Sequence, residues 1–313
     1  MLSRRGFGRL MSAALAAGVI VPGRLMGHAQ PGADGLGPDE LGVDELGAEE
    51  PGPQFSVMMW ALNKRGSFEE NLERVAQAEY RHVELVGEFM RWSEADWTRI
   101  LARMQALKIT VDATSGVKAG FADPAAGDAA GGDAFVAELK GFIPRVQRLG
   151  CGQIILLSGK RIEGAAPGVQ RAASIETLKR AADILSVAGL TGVIEPIDRL
   201  ENPSIYLDGV TEAFEIVRAV GSPKVKVLYD LYHEQRGLGN LIEKLEKNID
   251  EVGLIHVADV PGRHEPGTGE INFRNVYKRL AELHYRGVIA MEFYPTGDVV
   301  ETLRKAREEA MHS

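Results

Sequence analysis

Residues 224–258 read KVKVLYDLYHEQRGLGNLIEKLEKNIDEVGLIHVA: two β-rich runs, Lys224–Tyr229 and Gly253–Ala258, separated by a longer mixed segment. The alternation extends over the chain from Gln54 onward. Further strand candidates are Phe55–Trp60, His82–Val86, Ile109–Ala113, Gln153–Leu157, Gly192–Ile197 and Val288–Phe293, which makes eight. Between them lie apolar residues at helical spacing, such as Phe68-Leu72-Val75-Ala76 and Ile175-Leu178-Ala182-Leu185. Gly150 and Gly189 end two of these segments just before the next strand. Eight βα units over about 260 residues have the size of a (β/α)8 TIM barrel, an α/β fold in a single domain. An open doubly wound sheet is disfavoured, because no Gly-x-Gly-x-x-Gly follows the first strand. Right-handed crossovers then place every strand C-terminus on one face.

That face is where a TIM barrel carries its working residues. In the second half of the chain four successive strands end on an acid or an imidazole. The strings are Val-Ile-Glu195-Pro-Ile, Val-Leu-Tyr-Asp230-Leu-Tyr-His233, Leu-Ile-His256-Val-Ala-Asp259 and Ala-Met-Glu292-Phe-Tyr. Any one of them alone reads equally well as a helix cap or an Arg partner. Four in succession point to a shared role. Three carboxylates crowded at one mouth repel each other unless a cation intervenes. Glu195, Asp230, His256 and Glu292 together form a mostly oxygen donor set, suited to Mn²⁺ or Mg²⁺, with Co²⁺ or Zn²⁺ as alternatives.

Residues from about 54 to 300 resemble the xylose-isomerase-like superfamily of TIM barrels, and within it the hydroxypyruvate isomerases. The matching pieces are Glu195-Pro-Ile, Tyr-Asp230-Leu-Tyr-His233, Glu265-Pro-Gly-Thr-Gly-Glu270-Ile-Asn and Glu292-Phe-Tyr-Pro. The resemblance implies that Glu195, Asp230, His256 and Glu292 are metal ligands, with Glu195 and Glu292 the catalytic acid–base pair. Position 256 is often Gln in hydroxypyruvate isomerases and His in ketose 3-epimerases of the same superfamily, so His256 leans toward the epimerase pattern. The chemistry implied is proton transfer next to a carbonyl, with an enediolate whose charge a divalent ion stabilises. One glutamate takes the C–H proton and the other returns it, to the neighbouring carbon for an isomer or to the opposite face for an epimer.

Five further residues are candidate substrate contacts. His233 is read as bonding a substrate oxygen, or else as a hydrogen-bonded support. Arg263, after strand 7, and Lys160, after strand 4, are read as partners of a substrate carboxylate or phosphate, with a solvated loop cation as the alternative for each. Glu84 ends strand 2 and resembles a family glutamate, though a structural ion pair fits it equally. Trp60 is read as a pocket wall or as plain packing. The first half departs from the hydroxypyruvate isomerase pattern: after strand 3 come Asp112-Ala-Thr-Ser-Gly-Val-Lys-Ala-Gly-Phe and then an Ala/Gly/Asp-rich loop from Phe121 to Asp133. Such βα loops shape substrate pockets, so the metal chemistry carries over better than the substrate.

Residues 1–30 read as a twin-arginine export signal, with Ser-Arg-Arg-Gly-Phe-Gly-Arg before a short apolar run and a cut expected near Ala29. That run is shorter than the roughly 20 residues a membrane span needs. The expected destination is the periplasm or the exterior. Residues 31–53 hold seven acids and no base, with Gly-x-Asp-Glu-Leu-Gly twice, and read as a disordered acidic linker. The barrel is then residues 54–313. A net charge of −8 and a pI near 5.5 argue against a nucleic-acid partner. The same bias counts against a metal-dependent endonuclease on this fold. Cys151, the one cysteine, excludes an intramolecular disulfide and reads as a buried hydrophobe. The expected partner is a small sugar or keto acid, and a homo-oligomer is compatible with the composition. A ketose 3-epimerase, a lyase or dehydratase, and a non-catalytic sugar-binding barrel are the other readings of the same scaffold.

Overall fold

The eight expected strands close, in chain order, into a parallel barrel. They are β1 (Gln54–Met58), β2 (His82–Val86), β3 (Thr110–Ser115), β4 (Gln153–Leu157), β5 (Thr191–Glu195), β6 (Val225–Asp230), β7 (Val252–Val257) and β8 (Val288–Met291). The structure is a computed structural model, describing residues 52–124, 132–166 and 168–312. The export signal and nearly all of the acidic linker lie outside the described residues, as do residues 125–131 of the loop after β3. No described helix is long and apolar enough to cross a membrane.

Helices α1 (Phe68–Gln77), α2 (Glu94–Leu107), α3 (Asp133–Leu149), α4 (Val169–Ala188), α5 (Val210–Val220), α6 (Leu231–Gly237), α7 (Leu241–Asn248), α8 (Phe273–Glu282) and α9 (Val299–Met311) fill the connections. Ser67 and Ser93 start α1 and α2 with reciprocal capping boxes to Glu70 and Asp96, which satisfies amides the first turn leaves unpaired. Gly150, Gly189 and Gly221 stop α3, α4 and α5 in left-handed conformation, as the Gly-ended helical patterns lead one to expect.

Side chains alternate along each strand, so the chain has two cores. Outward residues such as Val83, Leu85, Val227 and Val257 pack under the helices. Inward residues Met58, Ala113, Ile155, Val193, Leu228, Leu254 and Ala290 form a separate apolar plug inside the barrel. Two residues past four of these plug positions, on the same inward face, stand Glu195, Asp230, His256 and Glu292. The strand period alone therefore aims all four at one point above the plug.

Strand ends differ from the sequence reading where the backbone chemistry intervenes. β5 stops at Glu195 rather than Ile197, since Pro196 has no N–H to give the ladder. β1 stops at Met58, and Trp60 rides on a short 3-10 turn, Met59–Leu62, that folds over the mouth. Cys151 is buried, and burial pushes its thiol pKa up, away from reactivity.

The Glu265-Pro-Gly-Thr-Gly-Glu string proves to be a backbone device. Asp259, fully buried, accepts hydrogen bonds from the amides of Val260 at 2.8 Å, Gly267 at 3.1 Å, Gly269 at 2.7 Å and Ile271 at 3.1 Å. The loop thus winds around one carboxylate and comes so close to itself that a Cβ on Gly269 would lie 2.0 Å from the Val260 carbonyl oxygen. Replacing Gly269 with Ala is expected to destabilise the protein by about 1–3 kcal/mol, the usual range for forced overpacking. Urea unfolding of the two proteins measures it; equal midpoints would show that the loop relaxes freely.

Candidate metal centre

Each of the four convergent side chains presents one ligand atom, and these atoms lie within 4.8 Å of one another. Opposite ligands of a six-coordinate ion bound at about 2.1 Å stand roughly 4.2 Å apart, so the cluster needs little closure to hold one. All four residues are buried, His256 and Asp230 almost completely. The ring Nδ1 of His256 lies 2.7 Å from Glu292 Oε2, 3.9 Å from Glu195 Oε1 and 4.0 Å from Asp230 Oδ2. Neither Nδ1 nor Asp230 Oδ2 nor Glu292 Oε2 makes an aligned hydrogen bond, although all three are buried. Buried polar atoms that face one another without an aligned hydrogen bond fit a site built around a cation. The donor set and the spacing fit a hard divalent ion.

Asp230 shows how the local sequence divides labour. It caps α6, its Oδ1 accepting from the amides of Tyr232 at 2.7 Å and His233 at 3.1 Å. That leaves Oδ2 facing the cluster. One oxygen of the carboxylate thus caps the helix while the other is turned toward the three neighbouring side chains.

The secondary candidates separate by position. Trp60 donates its indole N–H to Glu292 Oε1 at 3.1 Å and meets Tyr294 edge-on. Arg263 is buried, its guanidinium between the faces of Trp60 and Tyr232 at 5.2 and 5.0 Å. Its Nη2 reaches to 2.8 Å from Glu292 Oε2 and 3.6 Å from Asp230 Oδ2. His233 points Nε2 at Asp230 Oδ2, 3.5 Å away, and is held from behind by Asp198 Oδ2 at 2.7 Å from Nδ1. Glu84 is fully buried on the far side of the His256 ring, 2.9 Å from Nε2. Lys160 is exposed in the loop after β4, its backbone bridged to Ile205 and its ammonium joined to none of the four ligands among the described residues. Sequence reasoning missed Asp198, Tyr232 and Tyr294. Only the spacing Glu195-x-x-Asp198 hinted at the first, and nothing in the local sequence marks the aromatics as a guanidinium clamp. The depression at the opposite end of the barrel, lined by Gln153, Thr191, Lys226, Asp250 and Arg286, gathers no ligand set.

Crowding sets the titration of the cluster. Burial, then the charge of Glu292, push Glu195 up to about 7. Burial also opposes the charge of Glu292, yet Arg263 and His256 hold that carboxyl well below its ordinary range. For His256 burial disfavours the cation, but Glu292 and Glu84 outweigh it and raise the ring well above an ordinary histidine. At neutral pH without an ion, a proton on His256 and part of one on Glu195 thus neutralise the mouth. An ion that takes these residues as ligands must displace those protons. Loading the site at pH 7 is expected to release about one to two protons per ion. Calorimetry in buffers of different ionisation enthalpy reads this directly; binding without proton release would contradict the protonation assigned to His256.

A profile of xylose isomerase-like TIM barrels matches residues 72–311. A putative hydroxypyruvate isomerase of Mus musculus is 35% identical over 176 residues, 54% of this chain and 64% of that protein, so the match spans just under two thirds of its length. A putative hydroxypyruvate isomerase of Danio rerio is 30% identical over 266 residues, 79% of this chain and 92% of the other. The crystal structure of an AP endonuclease, family 2, from Brucella melitensis superposes with a TM-score of 0.71 at 25% identity, covering 80% of this chain and 96% of that one.

Proposed function

The chain belongs to the xylose isomerase-like TIM barrel family, and on that premise we propose that it is a metal-dependent intramolecular isomerase of a small α-hydroxy carbonyl compound, of the hydroxypyruvate class. The observation that carries the reading is the convergence of Glu195, Asp230, His256 and Glu292 on one buried point. Glu195, Asp230, His256 and Glu292 hold the ion, Mn²⁺ or Mg²⁺ by the oxygen-rich donor set. An ion there would supply positive charge to offset the negative charge that develops on substrate oxygen as the α-proton leaves.

The remaining chemistry falls to side chains. Glu195 and Glu292 enter from β5 and β8, with β6 and β7 between them around the ring, so they flank whatever occupies the centre. One glutamate accepts the proton from carbon and the other delivers a proton to carbon. Trp60 holds Glu292 through Oε1 and thereby fixes the direction in which Oε2 points. His233, oriented by Asp198, is placed to share a proton with a substrate hydroxyl. Arg263, clamped between Trp60 and Tyr232, offers a guanidinium with which an anionic substrate group would pair. Lys160 lies at the rim, where it serves at most a larger substrate. Twin-arginine export with loss of residues 1–30, and the acidic linker 31–53, belong to the same proposal and rest on the sequence pattern alone.

A ketose 3-epimerase is the second reading, favoured by His256. Both reactions exchange a substrate C–H with solvent. In D₂O with Mn²⁺ the protein is expected to deuterate hydroxypyruvate at the carbon next to the carbonyl, as NMR will show, and Glu195→Gln or Glu292→Gln to slow exchange by about 10²–10⁴-fold. Deuteration of a ketohexose at C3 with hydroxypyruvate untouched would favour the epimerase. Exchange unaffected by either substitution would sink the two-glutamate assignment.

A further inference from the structure

Glu84 reads from the sequence as a substrate contact or a structural ion pair, and in the structure it pairs with the imidazole of His256. It stands on the inward face of β2, paired with Met58 of the apolar plug, and has no exposed surface. The ring of His256 lies between it and the cluster, so no substrate at the mouth reaches it. Its partner is that ring: Glu84 Oε2 is 2.9 Å from Nε2, and among the described residues no Lys or Arg pairs with it. The other ring nitrogen, Nδ1, is the one surrounded by Glu292, Glu195 and Asp230. The acid on the next strand, Asp112, cannot relieve Glu84. It supplies no positive charge, and its own Oδ1 accepts from the hydroxyl of Ser56 at 2.9 Å.

We infer that Glu84 is a positioning residue for the metal centre: it holds the ring proton of His256 on Nε2 and so leaves the Nδ1 lone pair to the ion. This rests on the metal reading proposed above. The physical reason is that a neutral imidazole carries one proton, and whichever nitrogen meets an acceptor keeps it. A carboxylate on the side away from the cluster therefore selects the ligating nitrogen, fixes the ring plane and raises its basicity. It also explains a fully buried carboxylate in a barrel interior, which is costly unless a donor faces it. β2 and β7 lie three steps apart around the barrel, so the contact crosses the interior and needs both strands in register.

Calorimetric Mn²⁺ titration of the full chain tests the inference without reference to activity. Wild type is expected to bind one ion, Glu84→Leu to bind about 10–100-fold more weakly, and Glu84→Gln, whose amide oxygen can still accept, to lose less. In a His256→Ala background Glu84→Leu is expected to cost nothing further, because its effect passes through the ring. Wild-type affinity in Glu84→Leu overturns the inference, and so does an undiminished loss in the His256→Ala background, which marks a general structural role. Absence of binding by wild type overturns the metal reading itself, and is thereby distinguishable. Should Glu84→Leu fail to fold, ¹⁵N-histidine spectra of wild type loaded with diamagnetic Zn²⁺ decide the matter. A protonated Nε2 with an unprotonated Nδ1 on His256 supports the assignment, and the reverse tautomer defeats it.

Discussion

Mutual repulsion among Glu195, Asp230 and Glu292 is the constraint around which the mouth of this barrel is organised. Three carboxylates and an imidazole share a space 4.8 Å across, shielded from water. Like charges so close in a poorly solvated site cannot all ionise unless positive charge sits among them. Without an ion the protein supplies that charge from Arg263 and from a proton on His256, while burial and the neighbouring charge of Glu292 push Glu195 up to about 7. A divalent ion held by these four residues would supply the positive charge that those protons supply in its absence. The same electrostatics therefore governs loading, protonation and recognition.

The scaffold meets this constraint through ordinary backbone rules. The two-residue strand period stacks each ligand directly above an apolar plug residue, which provides a dry floor beneath the charges. Asp259 gathers four amides of the following loop and so fixes the segment that carries Arg263. The amide of Tyr294 donates to the Arg263 carbonyl at 2.8 Å, tying that loop to the one after β8. The guanidinium is thus aimed from both ends, by its backbone and by the two aromatic faces that sandwich it.

Much of this was legible in the sequence. The eight strands and the four convergent side chains follow from alternation and from the residue type at successive strand ends, because both are local. Boundaries shifted where a single residue's chemistry acted, as Pro196 does for β5. Roles that depend on what lies across the barrel were not legible. Glu84 meets His256 only because β2 and β7 face one another through the interior. Asp198 supports His233 only because the loop after β5 turns back over α6. The Glu-Pro-Gly-Thr-Gly-Glu string is visible as a signature, while its cause, an amide cradle around Asp259, appears only once the loop is folded.

The most direct test of the account is where an ion binds. Crystals of the chain grown with Mn²⁺ and measured at the manganese absorption edge would show anomalous scattering. The account predicts a single strong peak in contact with Nδ1 of His256 and with carboxylate oxygens of Glu195, Asp230 and Glu292. A peak elsewhere, or none at an ion concentration that saturates binding in solution, would contradict it.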